Sequence, residues 1–306
     1  MKKIIVTGAT GLIGKECCLR LIERGYHVTI FSRDPDAARQ KVHTAHEFIA
    51  WDAVEDGPWA SALDGAHGVI HLAGASLTGK RWSPDYKQEI YRSRIIGTRG
   101  LVQAMRVAGN KPQVFVCSSA VGYYGFRDAT VLDEYADPGQ DFIARMCVDW
   151  EAEALGAQVS GIRTVVARTG IVLATNDGVL PQIVGLFKRR MGGFTMPGIQ
   201  WFPWIHIDDI VGLLLFALEN DRISGPLNGT APEPQTNQAF ANTVGRVYGS
   251  ASWLPVPGIV LKLLIGEVAD TLIHGQRAVP QKAQEAGYQF KFLTAENALQ
   301  DLLQRT

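Results

Sequence analysis

The sequence has no net charge and few cysteines, and each of these features excludes some classes of binding partner or site. Its 306 residues contain 30 Lys plus Arg and 30 Asp plus Glu, so the formal net charge at pH 7 is zero. A chain without an overall field has no general attraction to nucleic acid or to an anionic membrane surface. We therefore expect a small-molecule partner, with no nucleic acid and no membrane, and the sequence defines no oligomeric state.

The cysteine pattern and the N-terminal segment exclude further classes. Cys17 and Cys18 are adjacent, whereas Cys117 and Cys147 are isolated, and no spacing matches a zinc site or a disulfide framework. We expect reduced thiols in a cytoplasmic protein and no bound metal. The opening "MKKIIVTGAT" places only Ile-Ile-Val between its lysines and the first polar residues, which is too short for a signal peptide or a membrane span. It predicts a first strand.

Short β-branched runs alternate with longer amphipathic runs along the first half of the chain. Strand, helix, strand, repeated, predicts a parallel sheet, and continuously apolar strands indicate that helices cover both of its faces. The fold class is therefore α/β, a doubly wound parallel sheet of the Rossmann type. The predicted strands are "KIIV", "YHVTIF", "EFIAW", "GVIHLAG", "QVFVCSS" and "RTVVAR", with helices over 11–24, 85–108 and 141–155.

A glycine-rich turn, "TGATGLIG", joins the first strand to the first helix. Glycines at this place allow a tight turn and a close approach of the backbone to a pyrophosphate, whose charge is met by the free N–H groups at the helix start. The turn predicts a dinucleotide site. Its predicted cofactor-binding residues are Thr7, Gly8, Thr10, Gly11, Leu12, Ile13 and Gly14.

The end of the second strand, "FSRDP", predicts which dinucleotide is bound. NAD-specific folds usually place an acidic residue there to accept hydrogen bonds from the ribose 2′-OH, whereas Ser32 and Arg33 stand at about that position here. Arg33 can bind a 2′-phosphate through charge-assisted hydrogen bonds. We therefore predict NADP(H). If the strand ended one residue later, Asp34 would be the ribose acid.

The composition changes after "RTGIVLA", which suggests how the chain is divided. Residues 176–204 are rich in glycine and contain the pair Trp201 and Trp204, as expected of a pocket wall. We predict an NADP-binding Rossmann domain at 1–175 and a small, mostly helical C-terminal lobe on the substrate side at 176–306. Within the second range, 206–230 is expected to return to the first domain.

Several motifs in this order resemble one protein family. The chain resembles the extended, or atypical, short-chain dehydrogenase/reductases, and among them the NAD-dependent epimerase/dehydratase-like proteins of uncharacterised activity. Residues 255–303 resemble their C-terminal domain of unknown function. The motifs are "TGATGLIG", "HLAGAS", "KRW", "SRIIGT", "SSAVGYYG", "WE", "RTGIVLA", "WFPWIHIDD" and "GQRAVPQKAQEAGYQF".

The resemblance implies further cofactor contacts. Asp52 is expected near the adenine, and Ser118 and Ser119 are expected to face the nicotinamide. The segment under the adenine ribose is implied to be "HLAG", His71 to Gly74, in which Leu72, Ala73 and Gly74 are the cofactor contacts. We interpret His71, the first residue of that segment, as a hydrogen-bonded structural residue.

One expected feature of the wider superfamily is missing. A tyrosine activated by a lysine four residues later normally transfers the proton, but counting back from Glu151 places Ile143 and Cys147 at those positions. Neither replaces the pair, and we interpret Cys147 as a buried helical thiol.

Two hypotheses follow. In the first, the protein is an NADP(H)-dependent oxidoreductase or epimerase-like enzyme on a small molecule such as a sugar. The residue that donates and accepts the proton is then Tyr123 or Tyr124, supported by a hydrogen bond from Ser119. His206 is the alternative acid/base. In the second, the protein binds NADPH, or senses redox state, without catalysis.

Two groups of residues are candidates for the substrate side. Arg81 and Trp82 form a cation-plus-aromatic pair that suits a phosphorylated or sugar-like ligand, or caps a neighbouring helix. Gln200 and Trp204 lie in the glycine-rich segment, where Trp204 stacks on a ring or fills the gap between lobes. For His206 the alternative is a helix-start histidine bonded to Asp208 or Asp209.

Overall fold

The structure of the protein, a computed structural model, describes residues 1–53 and 57–305. Within these ranges there are fifteen strands and eleven α-helices, numbered in chain order. The strands are β1 (Lys3–Thr7), β2 (His27–Ser32), β3 (Glu47–Ala50), β4 (Gly68–His71), β5 (Val114–Ala120), β6 (Val131–Leu132), β7 (Arg163–Thr169), β8 (Ile171–Leu173), β9 (Gly193–Thr195), β10 (Trp201–Phe202), β11 (Trp204–His206), β12 (Gly225–Gly229), β13 (Gln235–Thr236), β14 (Leu254–Val256) and β15 (Arg277–Ala278). The helices are α1 (Leu12–Glu23), α2 (Pro35–Lys41), α3 (Pro84–Val107), α4 (Phe142–Leu155), α5 (Leu180–Lys188), α6 (Ile207–Glu219), α7 (Asn237–Tyr248), α8 (Gly258–Ile265), α9 (Asp270–Ile273), α10 (Gln281–Glu285) and α11 (Ala295–Gln304).

A seven-stranded sheet in the order β12-β7-β5-β4-β1-β2-β3 forms the centre of the protein. Every neighbouring pair in this sheet is parallel. The chain order reverses between β1 and β4, and this is the point at which doubly wound sheets open a crevice for a ligand. The predicted doubly wound fold is confirmed, with each predicted strand in the sheet and the predicted helices present as α1, α3 and α4.

Apolar side chains on both faces of the strands bury the sheet. In β1, Ile4 and Val6 point into one core while Ile5 points into the other, because successive side chains of a strand alternate in direction. The first core also contains side chains from α1, α6 and α11. The second contains side chains from α3 and α4. Helices on both faces leave only the ends of the strands open to a ligand.

Beyond β8 the chain forms short strand pairs and helices that end next to the sheet. β9 pairs with β14, β10 with antiparallel β13, and β15 with β6. Helix α11, from the predicted C-terminal lobe, packs Leu299 and Leu302 into the same core as β1. The edge strand β12 comes from the predicted returning segment. The boundaries of the domain and lobe remain a prediction. Within the described ranges, no helix has both the length and the apolar character needed to cross a membrane.

Candidate active site

A cleft of about 990 Å³ lies at the carboxyl ends of β1, β2 and β4, where the strand order reverses. Ligands of doubly wound proteins collect at this edge because loops and helix starts converge there. Residues predicted to bind the cofactor form much of its wall. Those that line it are Gly8, Thr10, Gly11, Ser32, Arg33, Asp52, Leu72, Ala73 and Gly74.

The glycine turn fits a diphosphate because side chains are sterically excluded from it. Gly8 has φ +68°, and a Cβ there would lie 2.6 Å from the carbonyl carbon of Leu72. A Cβ on Gly14 would lie 2.2 Å from the Gly8 oxygen. Gly11 precedes α1 and no side chain caps that helix start. The first N–H groups of α1 are therefore free to bind an anion in the cleft.

Other predicted cofactor residues do not line this cleft. Thr7 is buried, and its Oγ1 accepts hydrogen bonds from the backbone N–H groups of Leu72 and Ala73, both at 3.2 Å. It shapes the cleft wall from behind, as does Gly14. Leu12, Ile13 and Ser118 are partly exposed and do not line the cleft, so a cofactor contact remains a prediction for them.

The corner beyond β2 presents a cation. β2 ends at Ser32, as the sequence argument assumed, so Arg33 is the first residue after the strand. The Asp34 carboxylate caps α2 by accepting a hydrogen bond from the Ala37 N–H at 2.9 Å. Arg33 is exposed and makes no hydrogen bond or ion pair within the described residues, and Lys41 also lines the cleft. The corner therefore suits a phosphate better than a ribose hydroxyl.

His71 is a structural histidine at the end of β4. Its side chain is fully buried, with Nδ1 2.6 Å from Thr7 Oγ1 and Nε2 3.0 Å from Thr98 Oγ1. Burial lowers the pKa of His71 to about 3, and the nearby Arg94 charge acts in the same direction. The ring is therefore neutral at physiological pH and holds β1, β4 and α3 together.

This histidine makes stability sensitive to acid. Its folded pKa lies below the unfolded value, so its contribution is complete above about pH 6.5 and is lost as the pH falls towards 3. When the pH is lowered from 7 to 5, we expect His71 to reduce the free energy of unfolding of the wild type by about 2 kcal/mol. Urea unfolding at the two pH values tests this. An H71Q variant should show a smaller pH-dependent loss, and an equal loss in both proteins would contradict the assignment.

A buried polar network lies past the carboxyl ends of β5 and β7. Ser119 donates a hydrogen bond to Glu151 Oε1 at 2.6 Å. Arg168 forms a bidentate ion pair with the same carboxylate, from Nε at 2.9 Å and from Nη2 at 2.8 Å. Burial alone would lower the pKa of Arg168, but its contacts with Glu151 raise it above the ordinary value, so the guanidinium stays charged. Ser119 is thus engaged by Glu151 and not by a tyrosine.

Sequence reasoning missed Arg168 and used Glu151 only as a marker for alignment. The sequence did contain a sign of this ion pair, namely a charged residue at each of two positions that the pattern predicts to be buried. Arg168 directly follows the apolar run "VVA" in the predicted strand "RTVVAR", and Glu151 falls on the inward face of α4. Charged residues are almost never fully buried unless they are paired. The pattern therefore indicates an internal ion pair, although not which residues form it.

The two candidate tyrosines have different environments. Tyr124 is fully buried, and its hydroxyl lies 2.7 Å from Asn228 Oδ1 and accepts a hydrogen bond from Arg168 Nη1 at 3.1 Å. Burial raises the pKa of Tyr124 to about 12. Tyr123 is partly exposed, and its ring lies against Arg168, with 3.4 Å between Cζ and the ring centroid. Within the described residues its hydroxyl has no hydrogen-bond partner, so Tyr123 remains the candidate and Tyr124 does not.

His206 and Trp204 are removed from the candidate site because both are interior residues. His206 caps α6, with Nδ1 accepting from the Asp208 N–H at 3.0 Å and Nε2 3.1 Å from Asp301 Oδ2. Burial lowers its pKa to about 4. Trp204 is 1% exposed and its Nε1 donates to the Glu233 carbonyl at 3.3 Å. Neither residue lines the cleft.

The other substrate candidates lie in loops with partners of their own. Trp82 donates from Nε1 to the Leu77 carbonyl at 2.7 Å. Arg81 is exposed, and its Nη2 approaches the Lys262 carbonyl of α8 at 3.5 Å. Gln200 is half-buried and donates to the Thr195 carbonyl at 2.9 Å. A substrate role for these residues remains a prediction.

The cysteines are interior thiols in the folded protein. All four are buried and unpaired. Burial raises the pKa of the Cys147 thiol to about 12, so it is not a nucleophile at neutral pH. In the described part of the chain, no group of three or more His, Cys, Asp and Glu residues is arranged to hold a metal ion.

Known proteins match the chain over nearly its whole length. The NAD dependent epimerase/dehydratase family matches residues 4–228, and the domain of unknown function DUF1731 matches residues 256–302. The epimerase family protein SDR39U1 homolog, chloroplastic, of Arabidopsis thaliana is 37% identical, covering 98% of this chain and 86% of the relative. The epimerase family protein YfhF of Bacillus subtilis is 36% identical, covering 98% and 97%.

A solved structure shares both the fold and the sequence pattern. The crystal structure of human epimerase family protein SDR39U1 with NADPH has a TM-score of 0.88 and 30% sequence identity, covering 99% of this chain and 100% of the human chain. That structure, the matching relatives and the glycine turn described above all point to the same family. The chain belongs to the NAD-dependent epimerase/dehydratase family of short-chain dehydrogenase/reductases and carries that family's DUF1731 domain at its C-terminal end.

Proposed function

We propose that the protein is an NADP(H)-dependent oxidoreductase or epimerase-like enzyme that acts on a hydroxyl or carbonyl group of a small, sugar-like molecule. One observation carries the proposal. The open start of α1 and the unpaired Arg33 guanidinium line the same cleft, so it offers separate sites for a diphosphate and a 2′-phosphate. The human relative that contains NADPH supports this choice of cofactor. When bound, the nicotinamide supplies hydride transfer.

In this proposal each group of residues has a defined task. The backbone of the glycine turn binds the diphosphate, and Arg33 binds the 2′-phosphate. Tyr123 exchanges a proton with the substrate oxygen, because the residue is partly exposed and its hydroxyl has no hydrogen-bond partner in the described structure. Arg168, held by Glu151, fixes the Tyr123 ring from below and stabilises negative charge that develops on it.

Arg33 is expected to set the preference between the two nicotinamide cofactors. An R33A variant should bind NADPH about 10- to 100-fold more weakly, because it loses charge-assisted hydrogen bonds, and should bind NADH almost unchanged. Isothermal titration calorimetry with both nucleotides measures the ratio. R39A is the matched control, since Arg39 lies nearby on α2, where its Cζ is 4.5 Å from the centroid of the Phe48 ring, and it does not line the cleft. An unchanged NADPH to NADH ratio in R33A would remove this argument.

A non-catalytic NADPH-binding protein is the second candidate. The observation that favours it is the presence of Ile143 and Cys147, both buried, where the superfamily carries its tyrosine and lysine. Turnover decides between the two. Purified protein is incubated with NADPH and a panel of carbonyl compounds while absorbance is followed.

Nucleotide sugars are tested separately, with NADP⁺ and product analysis by NMR. Epimerisation regenerates the cofactor, so it produces no lasting change in absorbance. Conversion in either assay supports the enzyme. Tight NADPH binding with no conversion of any compound favours the binding protein.

A further inference from the structure

A buried cation without an acidic partner lies behind the wall of the cofactor cleft. Arg94 of α3 is 9% exposed. Its Nη1 donates to the carbonyl oxygens of Ala75 at 3.0 Å and Ile90 at 3.1 Å, whereas its Nε is buried with no hydrogen-bond partner. No carboxylate pairs with it within the described residues. A buried charge without an opposite charge beside it is strongly unfavourable, which indicates that a ligand supplies the counter-charge.

The guanidinium is separated from the cleft by a residue without a side chain. A Cβ on Gly74 would lie 3.1 Å from Arg94 Cζ, and Gly74 itself lines the cleft. The next residue, Ala75, is held by α3 at both of its backbone groups. Its N–H donates to Ser93 Oγ at 3.0 Å, and its carbonyl accepts from Arg94. Helix α3 therefore fixes this part of the wall and places a positive charge directly behind it.

This charge lies close to the position of the missing lysine. Arg94 lies over the ring of Trp150 on α4, with 5.2 Å between Cζ and the centroid, and Trp150 is three residues after Cys147. The Arg94 charge also acts on the Cys147 thiol, although burial dominates there. Cys147 in turn is close to Ser119, at the end of β5. A cation from α3 thus occupies the neighbourhood where the superfamily brings one from α4.

We propose that Arg94 supplies, from α3, the fixed positive charge that α4 lacks at Cys147, and that this charge acts across Gly74 to position the nicotinamide-side phosphate and ribose of NADP(H). This inference rests on the proposed cofactor. Arg94 is a positioning residue for the cofactor and not a proton carrier, because a guanidinium does not release its proton. Its task differs from that of Arg33, which recognises the adenosine end.

The experiment separates the two ends of the cofactor. Calorimetry measures the Kd of NADPH, NADH and 2′,5′-ADP for R94Q, which keeps a hydrogen-bond donor but removes the charge. We expect NADPH and NADH to bind about 10-fold more weakly, in an unchanged ratio, and 2′,5′-ADP to bind as in the wild type. R106Q, on an exposed position of the same helix, is the control and should change none of the three.

A charge swap tests whether Arg94 replaces the lysine. The R94Q/C147K double variant should recover most of the NADPH affinity, whereas R94Q/C147M should not. If R94Q does not fold, the Kd of NADPH is measured for R94K instead. An affinity within about threefold of the wild type supports a role for the charge, and a larger loss contradicts it.

Two results would overturn the inference. The first is a loss that is equal for NADPH and 2′,5′-ADP, because that would mean Arg94 only holds Ala75 in place. The second is normal NADPH binding by R94Q. If the wild type bound 2′,5′-ADP but not NADPH, or bound no nucleotide, the proposed function would fail instead.

Discussion

Replacing Tyr123 with Phe is expected to lower turnover by about 10²- to 10⁴-fold, the usual contribution of a positioned general acid or base. The Tyr123 hydroxyl makes no hydrogen bond within the described residues, so its removal should leave the melting temperature and the NADPH affinity unchanged. The measurement compares kcat, calorimetric Kd and thermal unfolding for Y123F and the wild type, with whichever substrate the panel identifies. A purely structural tyrosine would not separate kcat from the other two quantities.

The adjacent tyrosine provides a matched control. Y124F removes a buried hydroxyl bonded to Asn228 and Arg168, so it should destabilise the protein by about 1–3 kcal/mol. Its turnover at a temperature where it is folded should stay near that of the wild type. If Y124F abolished turnover and Y123F did not, the assignment of the two residues would be reversed. If both retained full activity, the proton donor would lie elsewhere.

Replacing Arg168 with Met is expected to reduce the free energy of unfolding by about 3–5 kcal/mol, because it leaves the Glu151 carboxylate buried without its partner. The exposed fractions of the two side chains are 2% and 5%, so solvent cannot take over the role of the guanidinium. Urea unfolding measures the effect. R168M should also lower turnover, because the Tyr123 ring loses the surface on which it lies.

The double variant R168M/E151L distinguishes a buried ion pair from general packing. Removing both charges should restore much of the lost stability, since apolar replacements of buried pairs are often neutral or stabilising. Turnover should remain low in the double variant because the support for Tyr123 is still absent. Additive losses of stability in the double variant would argue against strong coupling between the two side chains.

Part of the candidate site could be predicted from the sequence. The predictable part consists of residues that are close together in the chain, whereas contacts between distant residues were not predictable. The glycine turn and the Arg33 corner depend on residues close together in the chain, so spacing alone was enough to predict them. The corner required one further fact from the structure, namely that β2 ends at Ser32 and leaves Asp34 to cap α2. His206 was considered as an alternative acid/base because the sequence around it does not show whether the side chain is exposed or buried. In the structure it is buried against α11.

By itself, the sequence determined the doubly wound sheet and the dinucleotide turn, because alternating strand and helix periods and glycine spacing act locally. Only the tertiary structure decided which polar groups meet. Arg168 contacts Glu151 from 17 positions away and Tyr124 contacts Asn228 from 104 positions away. Arg94 reaches the wall at Ala75, 19 positions away, on a helix that Thr98 links to His71 at the end of β4. Such contacts depend on how the elements pack, and no local pattern records them.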